Sequence, residues 1–320
     1  MAAPPILVKA LPATGAPLQR WDELLDVHRK YFGLSGRWVF RGINNSKYGL
    51  KTSLERAVLS LALSTPNPTP DEERSALAGT FGDLKRTVFE IEGGLIRSFR
   101  RQLHHYVDRQ PSTPLELLAL MQHYGAPTRL IDWTYSFYVA LFFAVDGSAR
   151  NERCAVWALD AEWFRDRLLA RDPALYAVID DDRNLIKRAS SFKDVFRQEQ
   201  RFVCPMNPYY LNDRLIIQQG LFLCPGAVGS RFEDNVAELQ YDDRAGSYAK
   251  VPDAEERLIR IDIGLSGATR TEILQNLIRM NMSHATLFPG IQGFARSHEG
   301  ALVFPDTLQY GDKYETDFVL

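Results

Sequence analysis

The sequence has little cysteine and no excess of charge of one sign. Cysteine occurs at three of its 320 positions, Cys154, Cys204 and Cys224, and no two of them form a CxxC pattern. No signal-peptide pattern stands at the start, so we expect unpaired thiols in a reducing, cytoplasmic setting. The formal net charge is −2, and no overall positive field draws the chain to nucleic acid or membrane. A local basic patch stays open.

Long hydrophobic runs and several familiar catalytic motifs are also missing. The longest unbroken apolar run, residues 139–145, is far shorter than the ~20 residues that cross a bilayer, so we expect no membrane insertion. The GxxxxGK[ST] phosphate loop, GxGxxG, HExxH and GxSxG are absent, and histidines and cysteines lack zinc-ligand spacing. These absences argue against nucleotide kinases, zinc hydrolases and serine hydrolases, and no metal site is predicted.

The most informative stretch is residues 116–145, where polar side chains interrupt core-like sequence. An apolar helical segment ends in Gln122, His123 and Tyr124, and a second apolar segment begins at Phe137. A buried polar group without a partner costs roughly 1–3 kcal/mol. We therefore expect the polar residues between these segments to pair with one another and to line a pocket.

Hydrophobic periodicity predicts an α+β fold, with a helix-rich N-terminal half packed on a mixed or antiparallel sheet. A long helical region over residues 71–110, with Leu84 on its apolar face, is interrupted at Gly93-Gly94 as a kink or a break. The predicted strands cover residues 37–42, 154–159, 215–223 and 257–263. The domain assignment is an N-terminal extension and helix (1–34), a single domain (35–305) and a C-terminal tail (306–320).

Four motifs occur in a fixed order along the chain. They are Phe40-Arg41-Gly42, the pattern QHYGxPTRLxDWT over residues 122–134, Arg214 with Gln218-x-Gly220-x-Phe222, and Phe288-Pro289. Together they resemble the FRG domain, a family of bacterial and phage-borne proteins named for its Phe-Arg-Gly signature. The resemblance covers most of residues 35–295.

The Arg41-Gly42 pair at a strand end is also distantly similar to the first motif of arginine-type ADP-ribosyltransferases, in which the arginine grips NAD. That similarity implies an ADP-ribosyltransferase-like fold with NAD as substrate. The family's Ser-Thr-Ser strand and Glu-x-Glu motif are absent, and Gln218 and Gln219 stand where the glutamate would be sought. An amide cannot take a proton, so a catalytic carboxylate must come from elsewhere.

The candidate site residues follow from these motifs and from side-chain chemistry. Binding of NAD is predicted for Arg41, Gly42, Tyr124, Arg129 and Gln218, with arginine gripping phosphate or ribose and tyrosine stacking on a ring. The predicted catalytic residues are His123 oriented by Asp132, or else Glu92.

Each candidate also has a structural interpretation that stays open. Arg41 could belong to an ion pair, and His123 could simply bind backbone at a helix end. Arg129 and Asp132 could pair with each other to fix the turn. Gln218 could hydrogen-bond within the sheet. Most glutamates on helices are solvated, and this is what we expect of Glu55.

The leading hypothesis is an FRG-domain effector that acts as an NAD-dependent ADP-ribosyltransferase-like enzyme on a macromolecule, nucleic acid being favoured, in a toxin or phage-defence context. The alternatives are a non-catalytic nucleic-acid or nucleotide-binding module and, more weakly, a nuclease. Arg97, Arg100 and Arg101 form a basic stripe that could follow a nucleic-acid backbone. The acceptor, the oligomeric state and an inhibitory partner protein are not fixed by the sequence.

Overall fold

A mixed sheet lies at the centre of the computed structural model, which describes residues 3–33, 36–65, 67–108, 110–148, 153–180, 199–208, 213–244 and 247–299. Seven strands of these residues are ordered β1-β9-β4-β2-β3-β6-β5. β1 is parallel to β9 and every other neighbouring pair is antiparallel. These strands are β1 Lys9–Leu11, β2 Trp38–Ile43, β3 Ile131–Thr134, β4 Arg153–Asp160, β5 Val203–Met206, β6 Gly220–Pro225 and β9 Leu258–Gly264. Two further strands, β7 Tyr241–Arg244 and β8 Ser247–Lys250, form a separate two-stranded sheet.

Helices pack on both faces of the sheet, because alternate strand residues belong to two different core clusters. The helices are α1 Trp21–Tyr31, α2 Ser53–Ala62, α3 Pro70–Leu77, α4 Val88–Gln102, α5 Pro114–His123, α6 Phe137–Asp146, α7 Ala161–Arg171, α8 Pro173–Asp180, α9 Asp213–Ile217, α10 Phe232–Leu239, α11 Gly267–Arg279, α12 His284–Leu287 and α13 Ile291–Ser297. Val39 of β2 joins one cluster with α5, α7 and α10, while its neighbour Phe40 joins the other with α1, α6 and α11. The α+β prediction is confirmed.

Threonine caps fix the starts of four helices in the N-terminal half. Thr52, Thr69, Thr87 and Thr113 each accept a hydrogen bond from the backbone N–H three residues later. At the last three of these threonines a glutamate side chain returns the bond and completes a capping box. The cap therefore marks each helix start in the sequence as Thr-x-x-Glu, and a single cap contributes about 1 kcal/mol.

The interruption predicted within residues 71–110 is misplaced. Helix α4 runs through Gly93-Gly94 without a break, although each glycine costs about 1 kcal/mol in a helix interior relative to alanine. The break lies instead between α3 and α4, where Gly82 and Lys85 have positive φ and Phe81 pairs with Arg86. Leu84 sits in that turn, 71% exposed, rather than on an apolar helix face.

The strand predicted over residues 215–223 is also wrong in its first half. Residues 213–217 form helix α9, and strand β6 starts only at Gly220. Gln219 has a left-handed φ of +49° and its N–H donates to the carbonyl of Ile216, which ends the helix. Gly220 follows in close contact with the helix, where a Cβ would lie 2.7 Å from Leu215 Cδ2 and would require that side chain to shift. The two glutamines therefore occupy a turn and do not face opposite sides of a strand.

A buried ion pair joins α4 to the sheet. Arg129 and Glu92 are 2% and 3% exposed, and Arg129 Nε donates to both Glu92 carboxylate oxygens at 2.9 and 3.1 Å. Its Nη1 donates to the backbone carbonyls of Pro225 and Gly226 at the end of β6. One guanidinium thus connects a helix, the segment before β3 and the end of β6.

The tail assigned to residues 306–320 lies outside the described residues, and the single-domain assignment stays a prediction. No helix in the described part of the chain is long and apolar enough to cross a membrane.

Glu55, in the first turn of α2, is 4% exposed, so the expectation that it is solvated is wrong. Its Oε2 accepts from the backbone N–H of Phe232 at 3.1 Å, while the buried Oε1 has no hydrogen-bond partner among the described residues. Burial raises the pKa of Glu55 to about 8, despite the Phe232 hydrogen bond and the charge of Lys51. The folded protein therefore binds a proton here between about pH 4.5 and 8 that the unfolded chain releases.

Replacing Glu92 by glutamine should destabilise the fold by about 3–5 kcal/mol, because it leaves the charge of Arg129 buried without its counter-ion. Urea denaturation at pH 7 measures the free energy of unfolding. The matched control is Glu162→Gln, which removes an exposed carboxylate 3.9 Å from Arg165 and should cost less than about 1 kcal/mol. Equal losses in the two variants would contradict a structural role for the buried pair.

The raised pKa of Glu55 predicts a pH-dependent contribution to stability. Protonation of the folded state stabilises the protein fully below about pH 4.5, and this stabilisation is lost as the pH rises to about 8. Relative to Glu55→Gln, the wild type should lose roughly 1 kcal/mol per pH unit between pH 5 and pH 8. Urea titrations of both proteins across that range test this, and parallel stability curves would rule it out.

Candidate functional site

The candidate site lies where strands β2 and β3 separate. The two strands pair at a single position, Phe40 with Thr134, whereas β3 pairs with β6 along its whole length. Past that position the Arg41 side chain fills the gap, and its Nη1 donates to the backbone carbonyl of Asp132 at 2.6 Å. A side chain thus takes the place of a ladder hydrogen bond, and the sheet opens beside it.

A cavity of about 240 Å³ occupies this opening. Four of the candidate residues line it: Arg41, Gly42, Asp132 and Gln218. The structure therefore brings together residues from β2, from β3 and from the turn before β6. The other lining residues are Phe40, Trp133, Thr134, Phe143 and Arg214.

The Phe-Arg-Gly signature holds β2 against α6 and leaves its arginine on the other face. A Cβ on Gly42 would lie 2.0 Å from the carbonyl oxygen of Ala140 and 2.6 Å from the N–H nitrogen of Ala144, so only glycine allows α6 to approach this closely. Phe40, on the same face, packs edge-on against Phe137 at 5.6 Å. Because side chains alternate along a strand, Arg41 faces away from this helix.

The charge of Arg41 is not neutralised by a close partner. Among the described residues no carboxylate lies within ion-pair distance of its guanidinium, and its buried Nε has no hydrogen-bond partner. Burial lowers the pKa of Arg41, and the charge of Asp132 offsets this only in part. Arginine stays protonated at neutral pH nonetheless. A half-buried cation with an idle donor favours the binding of an anion.

Gln122 fixes the carboxylate of Asp132. Its Nε2 donates to Asp132 Oδ2 at 2.9 Å, and its Oε1 accepts from Thr128 Oγ1 at 2.6 Å and from Ser53 Oγ at 3.2 Å. The two hydroxyls determine which way the amide points, so the N–H always faces Asp132. From the sequence, Asp132 is expected to orient His123, and no role is predicted for Gln122, although Gln122 and Asp132 lie in the same motif.

Arg214 forms the far side of the cavity and was missed as a site residue. Its guanidinium lies 4.7 Å from the ring centroid of Phe288, which in turn packs against Phe143. Burial and the charge of Arg214 lower the pKa of His123. His123 is therefore electrostatically coupled to the cavity rim, but it does not line the cavity. The only sequence signal for Arg214 is its place at the start of the motif that continues as Gln218-x-Gly220-x-Phe222.

Gln218 is held at the cavity by its neighbours on both sides. The side-chain Nε2 donates to the carbonyl of Leu287 at 2.8 Å, and the backbone carbonyl accepts from Thr134 Oγ1 at 2.6 Å. One N–H of the amide is thereby committed to α12. The amide oxygen and the second N–H are left as groups that can meet a ligand in the cavity.

The remaining candidates lie elsewhere. Glu92 and Arg129 line a larger cavity of about 750 Å³, together with Arg97 and Arg100 but without Arg101. Tyr124 is 68% exposed and lines an apolar groove of about 620 Å³. The described residues contain no group of three or more His, Cys, Asp or Glu that could hold a metal ion.

Comparison with known proteins agrees with the motifs over part of the chain. Residues 36–153 match the family model described as FRG domain. The match includes Arg41, Gly42, Gln122 and Asp132, and it stops before Arg214. No curated protein and no solved structure matches the chain. The protein therefore contains an FRG domain, matched over residues 36–153.

Proposed function

We propose that the Arg41 cavity binds NAD as a substrate and that the protein catalyses an ADP-ribosyltransferase-like reaction. The observation that carries this proposal is the meeting, in one cavity, of an unneutralised guanidinium (Arg41) and an oriented carboxylate (Asp132). The first suits a phosphate, and the second suits a sugar on which positive charge develops.

Two arginines give the cavity its affinity for phosphate. Arg41 and Arg214 both line it, and neither has an ion-pair partner in the described part of the chain. At about 240 Å³ the cavity is smaller than the roughly 300–1,000 Å³ of typical small-molecule pockets. It therefore takes the pyrophosphate and the adjoining ribose, while the rest of the dinucleotide extends past the rim.

Asp132 supplies the catalytic carboxylate, because the turn at Gln218 and Gln219 carries amides where the glutamate of ADP-ribosyltransferases would be sought. In the reaction the bond between ribose C1′ and the nicotinamide nitrogen breaks, nicotinamide leaves with the bonding electrons, and an acceptor nucleophile bonds to C1′. Asp132 stabilises the positive charge on the ribose and takes the proton of the nucleophile. Glu92, the other carboxylate considered from sequence, is already paired with Arg129 and lies outside this cavity.

The acceptor and the biological setting are proposed from the family resemblance. A macromolecular acceptor, with nucleic acid favoured, and a toxin or phage-defence role follow from the bacterial and phage-borne FRG domains that the motifs resemble. His123 would then act at the rim, where the acceptor approaches, rather than inside the cavity. Its lowered pKa keeps the imidazole neutral near pH 7, so it can accept a hydrogen bond from the acceptor and orient it while Asp132 takes the proton.

A second candidate function is nucleotide binding without turnover. It is favoured by the exposure of Asp132 and by the lack of a second carboxylate among the residues that line the cavity. Binding would depend on Arg41 in both cases, and consumption of NAD distinguishes them.

Variants of Arg41 and Asp132 separate binding from chemistry. Arg41→Ala should weaken NAD binding at least tenfold, and Arg41→Lys should restore little of it, because a lysine lacks the bidentate fork. Asp132→Asn should leave NAD binding within about threefold and lower the rate of nicotinamide release at least 100-fold. Calorimetric titration with NAD and a nicotinamide-release assay in cell extract measure the two effects.

The outcomes of that experiment are distinct. Binding of NAD by the wild type without nicotinamide release would favour the second function. Binding that is unaffected by Arg41→Ala would place NAD at another site and contradict the proposal.

The hydrogen bonds of Gln122 predict a positioning role. Gln122→Ala should lower kcat about tenfold or more with little change in KM, because it frees the Asp132 carboxylate to rotate without removing it. The control is Gln292→Ala, which changes an exposed glutamine on α13 and should leave both constants unchanged. A matching fall in kcat for Asp132→Asn and for the Gln122→Ala, Asp132→Asn double variant would support action through Asp132. Additive losses would contradict it.

A further inference from the structure

The larger cavity, of about 750 Å³, lies between helix α4 and the start of α5 and takes no part in the proposed reaction. Its walls include the apolar side chains of Phe89, Ile96, Leu117 and Leu118. Its polar rim carries three arginines: Arg86 ahead of α4, and Arg97 and Arg100 one turn apart along it. An apolar pocket with a few converging charged groups has the general form of a ligand site.

The three rim arginines are not neutralised by the protein. In the described ranges none of them has a carboxylate within ion-pair distance, and all three are exposed. Two carboxylates also line the cavity, and both are already engaged. Glu92 is paired with Arg129, and Glu90 accepts from the N–H and hydroxyl of Thr87. A chain of net charge −2 thus presents a local cluster of positive charge at this mouth.

The Gly93-Gly94 pair supplies a second, independent observation. Glycine in a helix interior lowers helix stability, and here no neighbouring atom requires it. Within 4 Å and among the described residues, a Cβ on Gly93 would meet only Arg97 Nη1, at 3.7 Å, and one on Gly94 only Arg86 Nη1, at 4.0 Å. Gly93 lines the cavity. The bare backbone therefore keeps open a space, bordered by two guanidinium groups, that the protein itself does not fill.

The geometry points to a nucleotide-binding site in this cavity, with the base against the apolar wall and the phosphate on Arg86, Arg97 and Arg100. The volume exceeds what a phosphate ion alone needs, so the ligand has an apolar body as well as a charged head. Three separate guanidiniums match the several oxygens of phosphate better than the two of a carboxylate. Phe89 offers an aromatic ring on which a base can stack, and stacking of this kind does not depend on which base it is.

The same chemistry is presented by a free nucleotide and by one nucleotide of a single strand. A strand would place successive phosphates on the arginines, so its affinity should fall steeply with salt. A free nucleotide would depend on salt less strongly. The site is independent of the Arg41 cavity, and its test does not depend on NAD turnover.

The test is a binding titration of the full chain with two probes, ATP and a fluorescently labelled 12-nucleotide single-stranded RNA, at 50 and 200 mM salt. At least one probe should bind. The Arg97→Ala, Arg100→Ala double variant should weaken that binding at least tenfold and reduce its salt dependence. Arg101→Ala is the matched control, since Arg101 lies next to Arg100 on α4 and does not line the cavity. It should change the affinity by less than twofold.

A second variant tests the apolar part of the cavity. Gly93→Leu places a side chain in the open space and favours the helix, so the protein should keep or raise its melting temperature while binding falls at least tenfold. Three outcomes would overturn the assignment. They are failure of both probes to bind, an equal loss with Arg101→Ala, and unchanged binding by a folded Gly93→Leu variant. Retention of RNA binding by Arg41→Ala is expected, and its loss would place the strand at the other cavity.

Discussion

The region around the site depends on the buried guanidinium of Arg129. Removing this charge from water is costly, and the cost is offset only because its donors reach the Glu92 carboxylate and the carbonyls of Pro225 and Gly226. Those acceptors belong to α4 and to the end of β6. The segment that leads from α5 into β3 is therefore held from two sides. The backbone of Asp132, three residues further along, is therefore held in place. The hydrogen bond from Gln122 then orients the Asp132 side chain.

The Phe-Arg-Gly signature divides packing and chemistry between neighbouring residues. Phe40 and Gly42 face α6, and the closeness of that helix excludes any side chain at Gly42. Arg41 lies between them and faces the other way, where its side chain takes the place of a backbone hydrogen bond between β2 and β3. A helix pressed onto one face of a strand thus positions a cation on the other. A tripeptide can specify both because strand side chains alternate.

Much of the fold could be predicted from the sequence, because its causes are local. Runs of strand-forming apolar residues mark β2 and β4, and alternation of apolar and polar residues marks β9. Thr-x-x-Glu marks the start of α3, α4 and α5. The turn at Gln218 and Gln219 could not, since a left-handed glutamine leaves no compositional signal. The sequence also could not predict that Glu92 and Asp132 lie at different cavities. Their separation depends on the ion pair between Arg129 and Glu92, which are 37 positions apart in sequence and meet only in the folded chain.

The contrast between Arg129 and Arg41 gives a physical criterion that the sequence alone could not apply. Both arginines belong to the family motifs and both were assigned to NAD binding. Arg129 is 2% exposed and directs its donors to a carboxylate and two carbonyls of the protein. Among the described residues Arg41 makes one hydrogen bond, to the carbonyl of Asp132, and its buried Nε has no partner. A buried donor without a partner costs free energy, and an anion that bound there would offset that cost. The first arginine therefore stabilises the fold, and the second is the one that can bind.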